Sequence, residues 1–309
     1  MTFAAPAAAQ SPQPVCSVEP YGVVELFVGV RTATVALTCG TAVSTAHVIR
    51  VDLRAPGLSF LTSRSASGGP GPFDQELTTD FLQRTHSQVA FNGNLFTNCC
   101  CRDVPPNAKV QTNLIGLEIS DGKVLSPVQA KPAPLTPNVC GATPAAAFPF
   151  DGSLLVTDQG LRIERFDAIS AIVPRAFAAV TGSHILVSGG QNVAPKDDTG
   201  EFFGPNARTV VGLNGENSVL WIAAIDRSTS QGVTLPQAGQ LMILLGATAA
   251  LNLDGGGSTS LAVEDAGGNP RLLNLPNDTA SPCTLPVGTH CARYVGANFG
   301  IRALYALRR

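Results

Sequence analysis

A run of three glycines at residues 255–257 is the part of the sequence best suited to chemistry. Successive glycines cost backbone entropy, so a positive φ angle or the close approach of another group must require them. The preceding residues alternate in polarity, which predicts a strand with Asn252 and Asp254 on one face and Leu251 and Leu253 on the core face. A carboxylate beside such a turn can act as a base or nucleophile on a bound ligand. A nucleotide-binding loop is disfavoured, because no lysine follows the glycines and no GxGxxG spacing is present, whereas a plain hairpin turn stays open as the alternative.

A predicted β-hairpin brings two more charged residues together. Residues 208–213 and 218–225 are typical of strands, and they flank an Asn-Gly pair, the strongest short-range hairpin signal. The hairpin places Arg208 at the same end of the sheet as Asp226. A guanidinium group binds anions through two parallel hydrogen bonds, and carboxylates can act as bases or nucleophiles. These two residues therefore join Asp254 as catalytic candidates.

The elements that position these residues can be predicted from local patterns. Thr234 and Pro236 open a helix whose apolar residues recur with helical spacing up to Gly246. Other predicted elements are strands at residues 21–30, 46–53, 88–91 and 258–263, a short helix capped by Thr79, and a loop at residues 56–72. Residues 99–149 are predicted to form loops and edge strands stapled by cysteine. This order predicts an α+β fold, a single domain with a mixed, mainly antiparallel sheet flanked by helices and with disulfide-stapled loops.

Composition limits the class of protein. The net charge is -2, only 14% of the 309 residues are charged, and no run of lysine and arginine is present, which disfavours a nucleic-acid partner. The longest apolar runs are too short to span a membrane. Residues 1–20 contain an alanine-rich stretch that resembles the end of a secretory signal, so we predict a signal-peptide remnant or flexible arm there. Residues 21–309 are predicted to form the domain.

The eight cysteines favour disulfide bonds over a zinc site. Three adjacent thiols at residues 99–101 do not easily converge on one tetrahedral ion. The expected pairings are Cys283 with Cys291, Cys16 with Cys39, and Cys140 with one of the adjacent three. Disulfides indicate a secreted or periplasmic location.

Several segments resemble the signature of the phosphodiester glycosidase family, in the order in which that family has them. Residues 252–260, Asn-Leu-Asp-Gly-Gly-Gly-Ser-Thr-Ser, are similar to its glycine motif. Similar segments also lie at residues 91–96 (Phe-Asn-Gly-Asn-Leu-Phe), 207–212 (Ala-Arg-Thr-Val-Val-Gly), 225–235, 274–276 (Asn-Leu-Pro) and 292–295 (Ala-Arg-Tyr-Val). The departures are Asn94, Ala207 and Ala292, which replace a glycine, a proline and a glutamate, and the Arg-Ser pair that follows Asp226 in place of Gly-Arg.

The resemblance implies a hydrolase that cleaves the bond between a sugar anomeric carbon and phosphate, in a glycan or a sugar-1-phosphodiester. The leaving phosphate monoester is a weak base, so its charge must be held more than protonated, a task that suits Arg208. Asp254 and Asp226 are the candidates for the carboxylate and the base at the oxocarbenium-like carbon. The residues expected to bind substrate are Asn92, Gly93, Thr209, Asn252, Gly255, Gly256, Gly257, Ser258, Arg293 and His47. Backbone N–H groups of residues 255–258 are expected to form an anion nest.

Two other functions stay open. The same pocket would suit a non-catalytic envelope protein that binds phosphorylated glycans, or a glycosidase that acts on ordinary glycosidic bonds. The chemistry requires no cofactor and no metal, although Asp and Asn oxygens also suit Ca²⁺. The expected partner is a carbohydrate or sugar-phosphate substrate, and the sequence indicates no oligomeric state. His86, His184 and His290 show no partner spacing, and the adjacent Phe202 and Phe203 either line a sugar site or anchor a loop.

Overall fold

The computed structural model describes residues 15–97, 109–128, 151–165, 172–196, 203–227, 229–278, 286–287 and 290–306. Its strands are β1 (Cys16–Phe27), β2 (Val30–Cys39), β3 (Ala42–Asp52), β4 (Ser59–Thr62), β5 (Phe73–Asp74), β6 (Val89–Asn92), β7 (Gln111–Thr112), β8 (Glu118–Ser120), β9 (Lys123–Ser126), β10 (Gly152–Thr157), β11 (Gly160–Arg165), β12 (Ala176–Gly182), β13 (His184–Ser188), β14 (Gln191–Asn192), β15 (Arg208–Leu213), β16 (Val219–Ile225), β17 (Ala249–Asn252), β18 (Leu261–Glu264), β19 (Pro270–Leu272), β20 (Pro286–Val287), β21 (His290–Cys291) and β22 (Asn298–Arg302). Two α-helices are described over their full length, α1 (Thr78–Thr85) and α2 (Leu235–Leu244), with 3-10 turns at Val173–Arg175 and Gly256–Ser258.

Three sheets carry the fold. Sheet 1 has eight strands in the order β1-β2-β3-β16-β15-β17-β13-β14. Sheet 2 has the order β11-β10-β12-β8-β9, and sheet 3 has the order β19-β18-β6-β22-β4. The predicted hairpin forms β15 and β16, with Arg208 opposite Ile225. Arg208, which begins β15, and Asp226, which follows β16, therefore lie at the end of the hairpin away from its turn.

The main core lies between one face of sheet 1 and the other two sheets. Val211 and Leu251 of sheet 1, Leu154 of sheet 2, and Phe91 and Phe299 of sheet 3 are all fully buried in it. A second core fills the space between the opposite face of sheet 1 and helix α2. Because successive strand residues point to opposite faces, the strands of sheet 1 other than the two-residue β14 contribute to both cores.

The predicted α+β fold with a mixed sheet flanked by helices is wrong. The described chain is mainly β, and all of its strand pairs are antiparallel. The two described helices are short, and each covers one patch: α1 packs against sheet 3 and α2 against sheet 1. The main core lies between sheets instead of under a helix, which is the arrangement of layered β proteins.

Helix α2 begins and ends close to the predicted positions. The Thr234 hydroxyl accepts a hydrogen bond from the Gln237 N–H group, and the Gln237 side chain accepts one from the Thr234 N–H group, which together form a capping box. The helix ends before Gly246, whose φ angle of +98° stops it. This firm start fixes the backbone next to the hairpin end, where Arg208 lies.

Other local predictions differ from the structure. Helix α1 begins at Thr78, so Thr79 lies inside it and is not its cap. The predicted loop at residues 56–72 contains β4, which pairs with β22. The strand that follows the glycines begins at Leu261, because the glycines continue into a 3-10 turn instead of a hairpin turn.

The predicted pairing of Cys16 with Cys39 is confirmed by a disulfide between β1 and β2, with the two Cα atoms 4.2 Å apart. Cys291 is also disulfide-bonded. The predictions for Cys283, Cys140 and residues 99–101 lie outside the described residues.

Candidate active site

The carboxyl group of Asp254 lies in the loop after β17. The backbone N–H of Asp254 donates to the Gly93 carbonyl at 3.1 Å, and the side-chain Oδ1 of Asp254 accepts the Gly255 N–H at 2.9 Å. Burial raises the pKa of Asp254 to about 6, and the hydrogen bond from Ser258 and the positive charge of Arg293 only partly oppose that rise. The carboxyl group therefore changes its charge close to neutral pH, as an acid–base group requires.

Each of the three glycines has its own steric reason. A Cβ atom on Gly255 would lie 2.8 Å from the Ala207 carbonyl oxygen. Gly256 has a φ angle of +60°, and its N–H donates to the same carbonyl at 2.8 Å. A Cβ atom on Gly257 would overlap the Arg293 guanidinium group and the Asp278 carboxylate. The sequence argument that glycine serves close approach or positive φ therefore accounts for all three positions.

Three of the four backbone N–H groups expected to form the anion nest are bonded within the protein. Those of Gly255 and Gly256 are bonded to the Asp254 carboxylate and the Ala207 carbonyl, and that of Ser258 donates to the Gly255 carbonyl at 3.1 Å. The loop uses these donors to hold its own shape. Any charge on a substrate phosphate must therefore be met mainly by side chains.

Arg293 and Asp278 form a bidentate ion pair that packs against Gly257. The Arg293 Nε and Nη2 atoms lie 2.7 and 2.8 Å from the two Asp278 carboxylate oxygens, and Nη1 lies 3.4 Å from the Ser258 hydroxyl. Arg293 is 9% exposed. The sequence singled out Arg293 but missed Asp278, which lies two residues beyond the Asn-Leu-Pro segment and carries no local signal of its own.

Gly257→Ala is expected to lower the free energy of unfolding by about 1–3 kcal/mol and to reduce turnover, because the added methyl group displaces the ion pair. Thermal denaturation measures the first effect, and turnover of the sugar-1-phosphodiester that the family resemblance implies measures the second. Gly69→Ala is the matched control, since an added Cβ there meets no atom within 4 Å, and a change below about 0.5 kcal/mol is expected. If Gly257→Ala were as stable and active as the control, the ion pair would not depend on close packing over the loop.

Asn92 ties three segments together at this site. Its side-chain N–H donates to the Asp254 carbonyl at 2.7 Å, while its Oδ1 accepts the Thr209 hydroxyl at 2.6 Å and the Ser260 N–H at 3.0 Å. Asn92 and Thr209 are fully buried. The structure thus brings Asn92, Gly93, Thr209 and Asp254 together. The side chains of Asn92 and Thr209 are both hydrogen-bonded to protein groups.

Arg208 is a buried cation at the same end of the sheet. Its Nε donates to the Val233 carbonyl at 2.9 Å and its Nη2 to the Gly204 carbonyl at 2.7 Å. Burial lowers the pKa of Arg208 to about 10, a value at which the group stays charged at neutral pH. Strands β15 and β17 pair Val210 with Asn252, so the same register puts Arg208 and Asp254 side by side beyond the ladder.

Asp226 is held by a different set of partners. His47 Nε2 lies 3.1 Å from Asp226 Oδ2, and the Leu275 N–H donates to Asp226 Oδ1 at 3.2 Å. His47 pairs with Ala224, which packs in the main core, whereas Arg208 shares its face with Val210 of the second core. The hairpin therefore brings Asp226 and Arg208 to one sheet end, but their side chains leave opposite faces, and Asp226 is joined to His47.

Asn252 lies beside two residues that sequence reasoning missed. Its side-chain N–H group donates to the Ser183 hydroxyl at 2.9 Å and to the Leu253 carbonyl at 2.8 Å, and His184 Nδ1 lies 3.1 Å from the same hydroxyl. The ring of Phe203 contacts His184, with centroids 5.5 Å apart. Because a carbonyl only accepts hydrogen bonds, the amide orientation is fixed and Asn252 Oδ1 points away from these partners. That oxygen is buried and has no partner among the described residues.

The signal for Ser183 and His184 is a long-range one. They become neighbours of Asn252 only because β13 pairs with β17, with His184 opposite Asn252. Nothing in the spacing along the chain predicts that pairing. Among the described residues, no group of three His, Cys, Asp or Glu side chains is placed to hold a metal ion.

Comparison with known protein families assigns this arrangement to a class. The sequence profile that matches residues 107–301, more than half of the chain, is that of an enzyme family that hydrolyses glycosidic bonds, so the protein is a glycosidase. The matched range contains Arg208, Asp226, Asp254 and Arg293, whereas His47 and residues 92–93 lie before it. The chain belongs to the phosphodiester glycosidase family.

Solved structures show the same fold at low sequence identity. The catalytic domain of zebrafish N-acetylglucosamine-1-phosphodiester alpha-N-acetylglucosaminidase, auto-inhibited by its pro-peptide, is 19% identical over 95% of this chain and 85% of its own, with a TM-score of 0.59. A Burkholderia pseudomallei protein described as exported is 12% identical over 98% of this chain and 100% of its own, with a TM-score of 0.63. A hypothetical protein from Synechocystis is 15% identical over 88% of this chain and 62% of its own, with a TM-score of 0.54. A search of curated protein sequences finds no match.

Proposed function

We propose that the protein hydrolyses the bond between a sugar anomeric carbon and a phosphate, in a glycan or a sugar-1-phosphodiester, with Asp254 as the carboxylate at the anomeric carbon. The observation that carries this proposal is the position of Asp254, whose Oδ1 accepts the Gly255 N–H and whose neighbour in the β15–β17 register is the buried Arg208. Burial also raises the pKa of Asp254 to about 6. A carboxyl group with this pKa is about half ionised at pH 6 and can exchange a proton at neutral pH.

The ionised form of Asp254 is the active one in this proposal. A phosphate monoester is a weak base and leaves without a proton from the enzyme, so no general acid is needed on that side. The anomeric carbon develops positive charge and calls for a carboxylate as nucleophile or as base for water. We therefore assign the ionised Asp254 to that carbon.

Arg208 is proposed to stabilise the negative charge on the leaving phosphate. Its guanidinium group is buried and anchored by the Val233 and Gly204 carbonyls, so its position is set before substrate binds. Arg293 is the second proposed cation, and its contact with the Ser258 hydroxyl places it at the glycine loop.

The remaining site residues are proposed to bind substrate or to position the loop. The buried oxygen of Asn252 fits a sugar hydroxyl that reaches it after a small shift of the neighbouring groups. Asn92, Gly93 and Thr209 position the loop, and glycines 255–257 allow its close packing. Asp226, bonded to His47 and the Leu275 N–H, is proposed to orient the end of β16.

We also propose that the enzyme works outside the cytoplasm and without a metal or other cofactor. The Cys16–Cys39 disulfide and the fold shared with an exported protein support the location. No helix within the described ranges is long and apolar enough to cross a membrane. Unchanged activity after treatment with a chelator is expected, whereas loss that Ca²⁺ restores would contradict the metal-free proposal.

The function is tested by an activity screen on a small library of sugar-1-phosphodiesters, followed by NMR to assign the anomer of the released sugar. Release of sugar and a phosphate monoester is expected for at least one member. A nitrophenyl glycoside of the same sugar is the matched control without phosphate, and it should turn over at least about 10²-fold more slowly if a buried arginine recognises the phosphate. Equal rates would contradict phosphate recognition, and tight binding of the diesters without turnover would contradict hydrolysis.

A further inference from the structure

A cavity of about 340 Å³ lies on the face of sheet 1 that packs against α2, away from Asp254. Strands β1, β2, β3 and β16 form its floor, and the last residues of α2 form one wall. It is lined by Val18, Pro20, Val23, Arg31, Thr32, Ala33, Val35, Val48, Arg50, Trp221, Leu244 and Leu245. Trp221 lies four positions before Ile225, the partner of Arg208, so the cavity and the catalytic end of the hairpin are about 13 Å apart along the strand.

The floor of the cavity carries two positive charges side by side. Arg31 on β2 is directly opposite Arg50 on β3, and Arg50 is directly opposite Trp221 on β16. The Arg50 guanidinium stacks on the indole, 5.6 Å from the ring centroid, which leaves the guanidinium edges available as donors. Like charges directly opposite each other in a sheet are destabilising, so an anion between them would relieve repulsion.

No nearby carboxylate pairs directly with either of these arginines. Asp52, two residues beyond Arg50, is bonded to Arg54 through both of its carboxylate oxygens. Glu25 is opposite Arg31 in the register of β1 and β2, but no ion pair within 4 Å forms between them. In the described part of the chain, no carboxylate forms a hydrogen bond or a close ion pair with either guanidinium group, and Asp52 acts on Arg50 only through a longer-range coulombic interaction.

The rest of the cavity is aliphatic. Val18, Val35 and Val48 line it from three neighbouring strands, and Leu244 and Leu245 close it from the end of α2. Leu244 and Val23 stay 39% and 60% exposed, so apolar surface remains in contact with water there. Covering such surface with an alkyl chain is favourable by about 25 cal/mol per Å².

We infer that this cavity binds an amphipathic anion, a single aliphatic chain with a carboxylate head. The head bridges Arg31 and Arg50, and the chain lies along the valines toward the end of α2. The charge pattern selects an anionic head, and the apolar walls select an alkyl tail over a sugar. This binding function is independent of the hydrolysis assigned to Asp254 and Arg208.

Sodium decanoate below its micelle concentration is the probe. The chain contains a single tryptophan, Trp221, so its fluorescence reports on the cavity alone. A saturable change in emission is expected, with the dissociation constant confirmed by calorimetry. Decanol, which has the same tail without charge, should bind at least about ten-fold more weakly, because it cannot form charge-assisted hydrogen bonds with the two guanidinium groups.

Arg31→Gln and Arg50→Gln should each raise the calorimetric dissociation constant for decanoate by about ten-fold or more. Arg162→Gln, at an exposed ion pair with Glu164 on sheet 2, is the matched control and should leave it unchanged. Ala33→Phe, which fills the cavity, should abolish binding without lowering the melting temperature by more than a few degrees.

Several results would overturn the inference. Equal binding of decanol and decanoate would show an apolar site without charge selection. No saturable binding of decanoate, or binding that Ala33→Phe leaves intact, would remove the site. Binding of anionic phospholipid vesicles without any binding of monomeric decanoate would assign the surface to a membrane instead.

Discussion

Replacing Asp254 with asparagine should lower kcat on a sugar-1-phosphodiester by about 10²- to 10⁴-fold, the range typical for removing a positioned acid–base group. Asparagine keeps the size of the side chain and can still accept the Gly255 N–H bond, so the loop is expected to keep its shape. The parent activity should rise with pH through about 6, because burial places the pKa of Asp254 there and the ionised form is the active one. This rise should be absent in the variant.

The same substitution should make the protein more stable at neutral pH. The folded-state pKa of Asp254, about 6, lies above the ordinary value of 3.8, so the native state binds the proton more tightly than the unfolded chain. The stabilisation from this group is complete below about pH 4 and is lost as the pH rises through 6. Asp254→Asn removes that loss. The difference between the melting temperature of the variant and that of the parent should therefore grow as the pH rises from 4 to 7. The upper limit of this gain in the free energy of unfolding is about 3 kcal/mol, since each pKa unit corresponds to about 1.4 kcal/mol.

Asp158→Asn is the control for both measurements, because Asp158 is an exposed carboxylate paired with Arg175 at the far end of sheet 2. It should leave kcat and its pH dependence unchanged. An Asp254→Asn enzyme that retained full kcat, or kept the rise near pH 6, would show that another group supplies the essential carboxylate.

Arg208→Lys should lower kcat/KM for the phosphodiester by about 10²-fold or more, because an ammonium group cannot hold the two backbone carbonyls and also present a fixed fork to phosphate. The protein should also lose about 1–3 kcal/mol of stability, since the Val233 or Gly204 carbonyl is left without its partner. Activity measured well below the melting temperature separates the two effects.

Arg302→Lys is the control for Arg208→Lys. Arg302 also donates two side-chain hydrogen bonds to a backbone carbonyl, that of Thr85, but it lies at the end of β22 on sheet 3. Because Arg302 is exposed, a smaller loss of stability with unchanged kcat/KM is expected there. If Arg208→Lys affected the nitrophenyl glycoside as much as the phosphodiester, Arg208 would serve the sugar or the fold and not the phosphate.

Features set by neighbouring residues were predictable from the sequence. The Asn-Gly hairpin, the capping box of Thr234 and the requirement for glycine at residues 255–257 all depend on local backbone geometry, and the structure contains them. The layered β architecture was not predictable in this way. It arises from pairings between strands far apart in the chain, such as β3 with β16 and β6 with β22, and these leave no trace in local periodicity.

The candidate site shows the same division. Asp254 and Arg208 could be singled out because one precedes a costly glycine run and the other opens a clear hairpin. The separation of Asp226 from Asp254 and Arg208 could not be predicted. It depends on the sheet face from which each side chain projects and on the contact of Asp226 with His47 of β3. Asp278, Ser183 and His184 were missed because only tertiary contacts give them a role.

The packing of Arg293 and Asp278 directly over Gly257 also limits how these positions can change in related proteins. A side chain at residue 257 has room only if one member of the ion pair is shorter or has moved away, and the loss of either charge removes this ion pair. Homologous sequences should therefore substitute the three positions jointly, and an alignment in which they vary independently would show that this contact is not shared by the lineage.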